Sequence, residues 1–434
     1  MKYLYLLLIY AFSNDLFSFL PEDILPGGFD LSDIGILLLL IGILVIFLKE
    51  KDFSILFNPY TTLVVILFFL IAIEAGIASI NYNQSIISGV ISTRRYWYYL
   101  TLIPFIFWLK DVKSVEIFLE LLSTVALVIF ILSIVNYITP VVFQHEWAAG
   151  HHKRAGVVRA FIPAMDLLTF TTFWQFVLWL EVEEKKSKSL IKTGIFYGAH
   201  VFRQSRGRLI TLTAVMLGLL IYKRKFKAFF LAAFLASIGF FVLQYTMEQN
   251  IMEYAFASTV EDISENTGTW EGRLENIQSD VDHFLNHIWI GSGAVALRLS
   301  EGGGFSSQEM DRLEEIANTA DLGYTRWLKS FGLAGVLWLG ALFYFAIRDC
   351  IRASSLATKQ ARIIPLFVST YFVFVAISSV TLNHFQFPPR IMVLCLCFAA
   401  LTRIQWEAIR KASSNNNAPL HDNGDIDTNA VKPY

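Results

Sequence analysis

Charged residues are scarce in this chain: Asp, Glu, Lys and Arg make up 16% of its 434 residues, while 55% are hydrophobic and 15% aromatic. The formal net charge of −1 supplies no basic surplus, so nothing electrostatic argues for nucleic acid, and no such partner is expected. Cysteine is nearly absent. Cys395 and Cys397 stand two apart inside one apolar run and Cys350 lies near a basic loop, so no disulfide framework is expected. A zinc pattern is missing as well. His145, His151 and His152 fall in one loop, but adjacent histidines cannot share a helix face, and no Cys or carboxylate stands at metal-site spacing. No metal or other cofactor is therefore expected. The chain also lacks an internal repeat of spans and a symmetric pair of broken helices, the features that mark many transporters.

What it has is long apolar runs. Segments of roughly 17–25 residues recur along the chain, the length a helix needs to cross hydrocarbon. The expectation is an all-α polytopic membrane protein with about 12 transmembrane helices and one large outer loop containing an amphipathic helix. The spans fall at 4–20, 31–48, 61–80, 96–109, 115–138, 161–180, 190–199, 209–222, 228–245, 325–347, 363–382 and 391–404. The first run is either a signal peptide or a retained span; Ala11-Phe12-Ser13 is a weak cleavage site, and a retained span is favoured. The chain then divides into spans one to nine (1–245), the outer loop (246–324), spans ten to twelve (325–404) and a disordered cytoplasmic tail (405–434). Glu74, inside the third span, reads as a neutral or paired helix-packing residue.

Placing Lys2 in the cytoplasm puts 21 of the 35 Lys and Arg residues on that side, as the positive-inside rule prefers. The two residue types separate further. Only Lys153 and Lys329 among 17 lysines fall on or towards the other side, whereas 12 of 18 arginines do, among them Arg94, Arg95, Arg159, Arg298 and Arg390. Insertion charge alone does not distinguish the two. A planar fork of donors suited to phosphate does.

The densest group is Phe202-Arg203-Gln204-Ser205-Arg206-Gly207-Arg208, set between two apolar runs. An Arg at the bilayer centre costs at least about 2.5 kcal/mol, so such residues lie in a cavity or near an interface and face a partner. Gly207 removes a side chain at the turn, letting backbone and ligand approach closely. The group reads either as a hairpin with snorkelling anchors or as an anion site, and we take the second. In the outer loop, Leu274, Ile277, Val281, Phe284 and Leu285 recur at three- and four-residue spacing across 272–286, the pattern of an amphipathic helix. It ends in Ile288-Trp289-Ile290-Gly291-Ser292-Gly293, an apolar plug and a glycine turn. Asp321, Tyr324 and Arg326 then stand at the membrane entrance of the tenth span, followed by Gly332-Leu333-Ala334-Gly335.

The order of these pieces resembles the O-antigen ligase and polymerase (Wzy-type) superfamily of bacterial envelope polysaccharide assembly. The matching residues are Ser205-Arg206-Gly207, Arg273 through Gly291-Ser292-Gly293, and Asp321-x-Gly323-Tyr324 through Gly335, over roughly 190–345. The resemblance implies a metal-independent glycosyltransferase of the C-type membrane architecture, in the bacterial inner membrane with both termini cytoplasmic. It implies transfer of glycan from undecaprenyl diphosphate on the outer face, with membrane lipids around it and a chain-length regulator and a flippase as protein partners. Ligases of the family carry a His-Asn pair where this chain has Ala320-Asp321, a departure that favours a polymerase. On this reading Arg206, Arg208 and Arg203 stabilise the leaving diphosphate, and Asp321 accepts the proton of the attacking hydroxyl. Ser205, Arg273, Tyr324, Arg326, Arg94, Arg95 and Arg159 complete the substrate contacts. Asp321 reads equally well as a helix cap, and Arg273 as a loop anchor. The alternatives are a ligase acting on lipid A-core or another acceptor, a transporter using Glu74 and Asp166 as coupling groups, and a structural partner in envelope assembly.

Overall fold

The computed structural model describes residues 1–21, 30–82, 84–144, 153–154, 157–158, 160–203, 205–227, 269–293, 323–356 and 361–416. Thirteen α-helices make up most of them. They are α1 (Lys2–Ser13), α2 (Leu31–Lys49), α3 (Pro59–Tyr82), α4 (Ile86–Ser92), α5 (Leu102–Trp108), α6 (Val112–Ile138) and α7 (Met165–Glu181). There follow α8 (Lys186–Phe202), α9 (Arg206–Tyr222), α10 (Thr269–Asn286), α11 (Tyr324–Leu356), α12 (Ile363–Ser378) and α13 (Pro388–Asn416). A two-residue antiparallel ladder, Lys153–Arg154 against Val157–Val158, is the one sheet among the described residues.

The bundle is arranged around α13. Its membrane-length stretch is 78% buried, against 39–44% for the other four long apolar helices, as suits a helix that is apolar all round. It packs on α1, α5, α6, α7, α11, α12 and the 3₁₀ stretch Arg94–Thr101. The polar residues of α13 are spent on its neighbours' ends. Arg403 donates from Nε to the Ile106 carbonyl oxygen (2.6 Å), one of the last carbonyls of α5, which have no partner within that helix. Glu407 accepts the Val112 N–H (3.0 Å) in the first turn of α6.

Five described helices are long and apolar enough to cross a membrane: α2, α3, α6, α11 and Pro388–Arg410 of α13. Three shorter apolar ones are Lys2–Ser13, Gly207–Tyr222 and Ile363–Ser378. The protein is thus a helical, polytopic membrane protein with fewer full-length spans in its described residues than the twelve expected. Two differences are specific. The fourth expected span, 96–109, is a 3₁₀ stretch (Arg94–Thr101) joined to the seven-residue α5. The expected ninth, 228–245, lies outside the described residues. The tail expected to be disordered from 405 instead continues α13 to Asn416. Gln405-Trp406-Glu407-Ala408-Ile409-Arg410-Lys411 is a run dominated by good helix formers, and the Glu407 bond to α6 anchors it. Residues 417–434 lie outside the description.

The amphipathic helix expected over 272–286 is present as α10, and the plug after it enters a break in α11. Gly332 sits at φ 56°, ψ −148°, a conformation open essentially to glycine alone, and interrupts the helical hydrogen bonds. The Leu333 N–H therefore turns to the Ile288 carbonyl oxygen (2.7 Å) and the Ala334 N–H to that of Trp289 (3.1 Å). The Lys329 carbonyl oxygen, released by the same break, accepts the Ser292 N–H (3.0 Å). Every main-chain group opened by the kink that these three bonds reach is thus repaired from residues 288–292.

Candidate active site

Three helix first turns meet at one end of the bundle. Asp166 is the second residue of α7, Arg208 the third of α9 and Arg390 the third of α13. Asp166 Oδ1 forms ion pairs with Arg208 Nη2 (3.0 Å) and Arg390 Nε (2.9 Å), and all three side chains are close to fully buried. Arg390 also donates from Nη1 to the Asn383 carbonyl oxygen (3.0 Å) and lies over the Phe387 ring. Arg203, half-buried at the end of α8, donates to the Ile162 carbonyl oxygen (2.8 Å) just before α7 and lies over Phe161. Two guanidinium groups therefore hold one carboxylate, with a third, that of Arg203, fixed to the segment leading into the same helix, so among the described residues positive charge exceeds negative here.

The turn between α12 and α13 fixes one side of this group. Asn383 and Gln386 bond to each other through their side-chain amides (2.8 Å), and the Gln386 N–H returns to Asn383 Oδ1 (3.1 Å). His384 Nε2 shares a hydrogen bond with Ser378 Oγ (2.7 Å). Burial and the adjacent Arg390 hold this imidazole well below its ordinary pKa, so it is neutral at pH 7. Gln386 Nε2 reaches Ser330 Oγ on α11 (3.4 Å) and the Tyr324 N–H donates to the Ser379 carbonyl oxygen (3.1 Å), tying the start of α11 to the same turn.

A second buried charge group joins α10 to α11. Asp280 receives Lys329 Nζ (3.2 Å) and the Thr325 hydroxyl (3.3 Å), with Arg326 Nη1 at 3.8 Å. Beneath the glycine turn, Glu74 of α3 is buried, and the Tyr82 hydroxyl at the end of the same helix donates to the Ser292 carbonyl oxygen (2.9 Å).

The sequence-predicted residues sort into groups. Ser205 and Arg206 form the turn into α9, and Ser205 makes no side-chain cap bond. Arg206 opens α9 and Arg273 lies in α10; their side chains are outside the described residues, as are Asp321 and Arg159 altogether. Among the described residues, a Cβ on Gly207 would meet nothing nearer than Thr381 Oγ1 at 3.9 Å. Arg203 is tied to the Ile162 carbonyl oxygen, and Arg208 is engaged by Asp166. Four other residues expected at the substrate have the following places in the fold. Arg94 clasps Asp30 (2.8 Å) and Asp33 (3.0 Å) at the capping box of α2. Burial pushes the Asp30 carboxyl up, but the hydroxyl of Ser32 and the Arg94 guanidinium together bring it below the usual carboxylate range. Arg326 faces Asp280, and the Tyr324 hydroxyl donates to the Ala376 carbonyl oxygen (2.8 Å), so both hold helices together. Arg95 is exposed beside them.

Sequence reading left Arg390, Asp280, Lys329 and His384 out of the site and gave Asp166 only a transport role. Asp280 had a signal: it lies three residues after Ile277 and four before Phe284, on the apolar stripe of α10, where an acid must be paired. Asp166 and Arg390 are lone charges at the edges of apolar runs, and only the fold brings them together.

A comparison of the whole chain with curated proteins gives no match. Residues 194–340, from within α8 through α9 and α10 into α11, match the family model described as O-antigen ligase, a match that supports the O-antigen ligase/polymerase superfamily.

Proposed function

We propose that this protein is a glycosyltransferase of envelope polysaccharide assembly acting as a polymerase. It moves glycan from undecaprenyl diphosphate to a lipid-linked repeat unit at the outer face of the bacterial inner membrane. The observation that supports this most is the gathering of Arg203, Arg208 and Arg390 beside the Ser205-Arg206-Gly207 turn, within and next to a stretch matching the O-antigen ligase family. In the reaction, an acceptor hydroxyl oxygen bonds to the anomeric carbon while the bond from that carbon to the diphosphate oxygen breaks. The leaving diphosphate takes the electron pair, and guanidinium groups offset the charge that develops on it. Asp321 takes the hydroxyl proton. No cofactor is needed for this balance.

A ligase is the second reading, favoured by the description of the matching family. Ala320-Asp321, where ligases carry His-Asn, weighs against it. Transport through Glu74 and Asp166 is less well supported, because Asp166 is bound by two arginines. Deleting the gene and resolving the cell's polysaccharide on a gel separates these readings. A polymerase deletion leaves single repeat units on the acceptor. Long chains accumulating on undecaprenyl diphosphate would make the protein a ligase, and an unchanged ladder would remove both enzymatic readings.

A further inference from the structure

Stability alone does not account for Asp166. Burying a carboxylate with two guanidiniums carries a desolvation penalty for each ion, and well-packed apolar residues commonly serve a core as well or better. The residue before α7, Ala164, is held at φ 54°, a left-handed conformation that non-glycine residues adopt only at a cost. The chain accepts both costs where α7 starts. The result is one carboxylate oxygen shared by arginines from two helices that are 182 residues apart in sequence at this point (208 and 390).

We propose that Asp166 is a positioning residue for diphosphate binding, resting on the phosphate reading of the 203–208 turn given above. By clamping Arg208 and Arg390 through a single oxygen, it fixes the separation and orientation of two like charges that would otherwise repel each other. It offsets one positive charge and leaves the cluster cationic. Arg203, tied to the Ile162 carbonyl oxygen in the segment that leads to Asp166, is oriented by the same stretch of chain. Arg390 lies outside the family-matched stretch, and Asp166 does too, so this clamp joins residues the match does not cover to residues it does.

The proposal has a sign that ordinary Coulomb reasoning opposes. Removing the carboxylate makes the cluster more positive, so a residue that merely neutralises charge should, when lost, leave anions bound more tightly. A positioning residue should leave them bound more weakly, because the forks lose their alignment. The test uses the purified full-length protein titrated with inorganic pyrophosphate, and in parallel the polymer formed by cells carrying each variant in place of the wild type. Thermal stability in detergent is recorded for every variant. Asp166→Asn is expected to weaken pyrophosphate binding despite the added positive charge, and to slow polymer formation by about 10²-fold, the effect of a misplacement near 1 Å. Asp166→Glu keeps the charge but lengthens the arm by one methylene. It is expected to fold normally, bind pyrophosphate better than the Asn variant and still make polymer slowly.

Pyrophosphate bound as tightly by Asp166→Asn as by wild type, or more tightly, with polymer at the normal rate, overturns the positioning role and leaves the phosphate reading standing. If the Asn variant does not fold, Asp166→Glu decides: polymer at the wild-type rate from that protein overturns the role. Wild-type protein that does not bind pyrophosphate at all overturns the phosphate reading and this proposal with it.

Discussion

Lysine carries the charge of arginine without its planar fork, so exchanging one for the other separates charge from geometry. Arg206, the first residue of α9, is the place to make that exchange. Arg206→Lys is expected to impair polymer formation well beyond the loss of a simple surface charge, and Arg206→Ala to abolish it while the protein still inserts at normal levels. Polymer of normal length from stably expressed Arg206→Ala protein, seen on the same gel, would reduce the turn to a membrane anchor. At this scale the sequence was most informative where residue type alone carried the chemistry. The Arg-rich turn could be read directly, since three guanidiniums at the edge of apolar runs require an anion or an interface. Arg94 and Arg326 could not be sorted from the others, because their acidic partners lie 61 to 64 and 46 residues away in the chain (Asp33 and Asp30, and Asp280). Which arginines stay available to a ligand is a property of the fold.

Helices were legible where hydrophobic length decides them. The cores of α2, α3, α6 and α11 lie on the apolar runs, and α10 follows its three- and four-residue spacing. Composition did not reveal the 3₁₀ course of Arg94–Thr101, where tyrosines pack into the bundle and Tyr98 donates to the Ser32 carbonyl oxygen (2.7 Å). Nor did it reveal the break in α11: Gly332 stands in a motif that reads equally well as ordinary small-residue packing. That break is testable. A Cβ at residue 332 would lie 2.7 Å from Gly291 N, Ile288 O and Ile290 N, and the backbone there suits glycine only. Gly332→Ala is expected to cost about 1–3 kcal/mol from backbone strain alone and to expel the plug. Hydrogen exchange at the Leu333 and Ala334 amides should then rise. Gly340, eight residues on, has no described residue within 4 Å of an added Cβ. Gly340→Ala should leave exchange at those amides unchanged; equal effects from both variants would show that the junction is not special.

Across the whole molecule, paired charges mark the two ends of the bundle, with most of the buried arginines at one of them. Arg203, Arg208, Arg326, Arg390 and Arg94 gather at one end, whereas Lys110 with Glu50 and Lys223 with Glu181 mark the other. The sequence-based topology makes the second end cytoplasmic and places 246–324 outside. Ser187→Cys and Ser307→Cys should therefore react oppositely with an impermeant thiol reagent in intact cells, the second labelled and the first not. The native thiols Cys350, Cys395 and Cys397 are buried, which keeps the background low. Labelling at position 187 but not at 307 would invert the orientation and move the arginine cluster to the cytoplasmic face.

The junction at Gly332 also sets an order of events. Residues 288–292 leave the ribosome before α11 does, and they supply the partners that its opened amides need. If they are absent when α11 enters lipid, the cheapest way to satisfy those amides is to close the helix straight through Gly332. The same span then has two shapes, unbroken when alone and kinked when the loop arrives in time. Assembly of this bundle is thus a race that the earlier segment must win, and a chain with 288–292 displaced would mature with its tenth expected span straight.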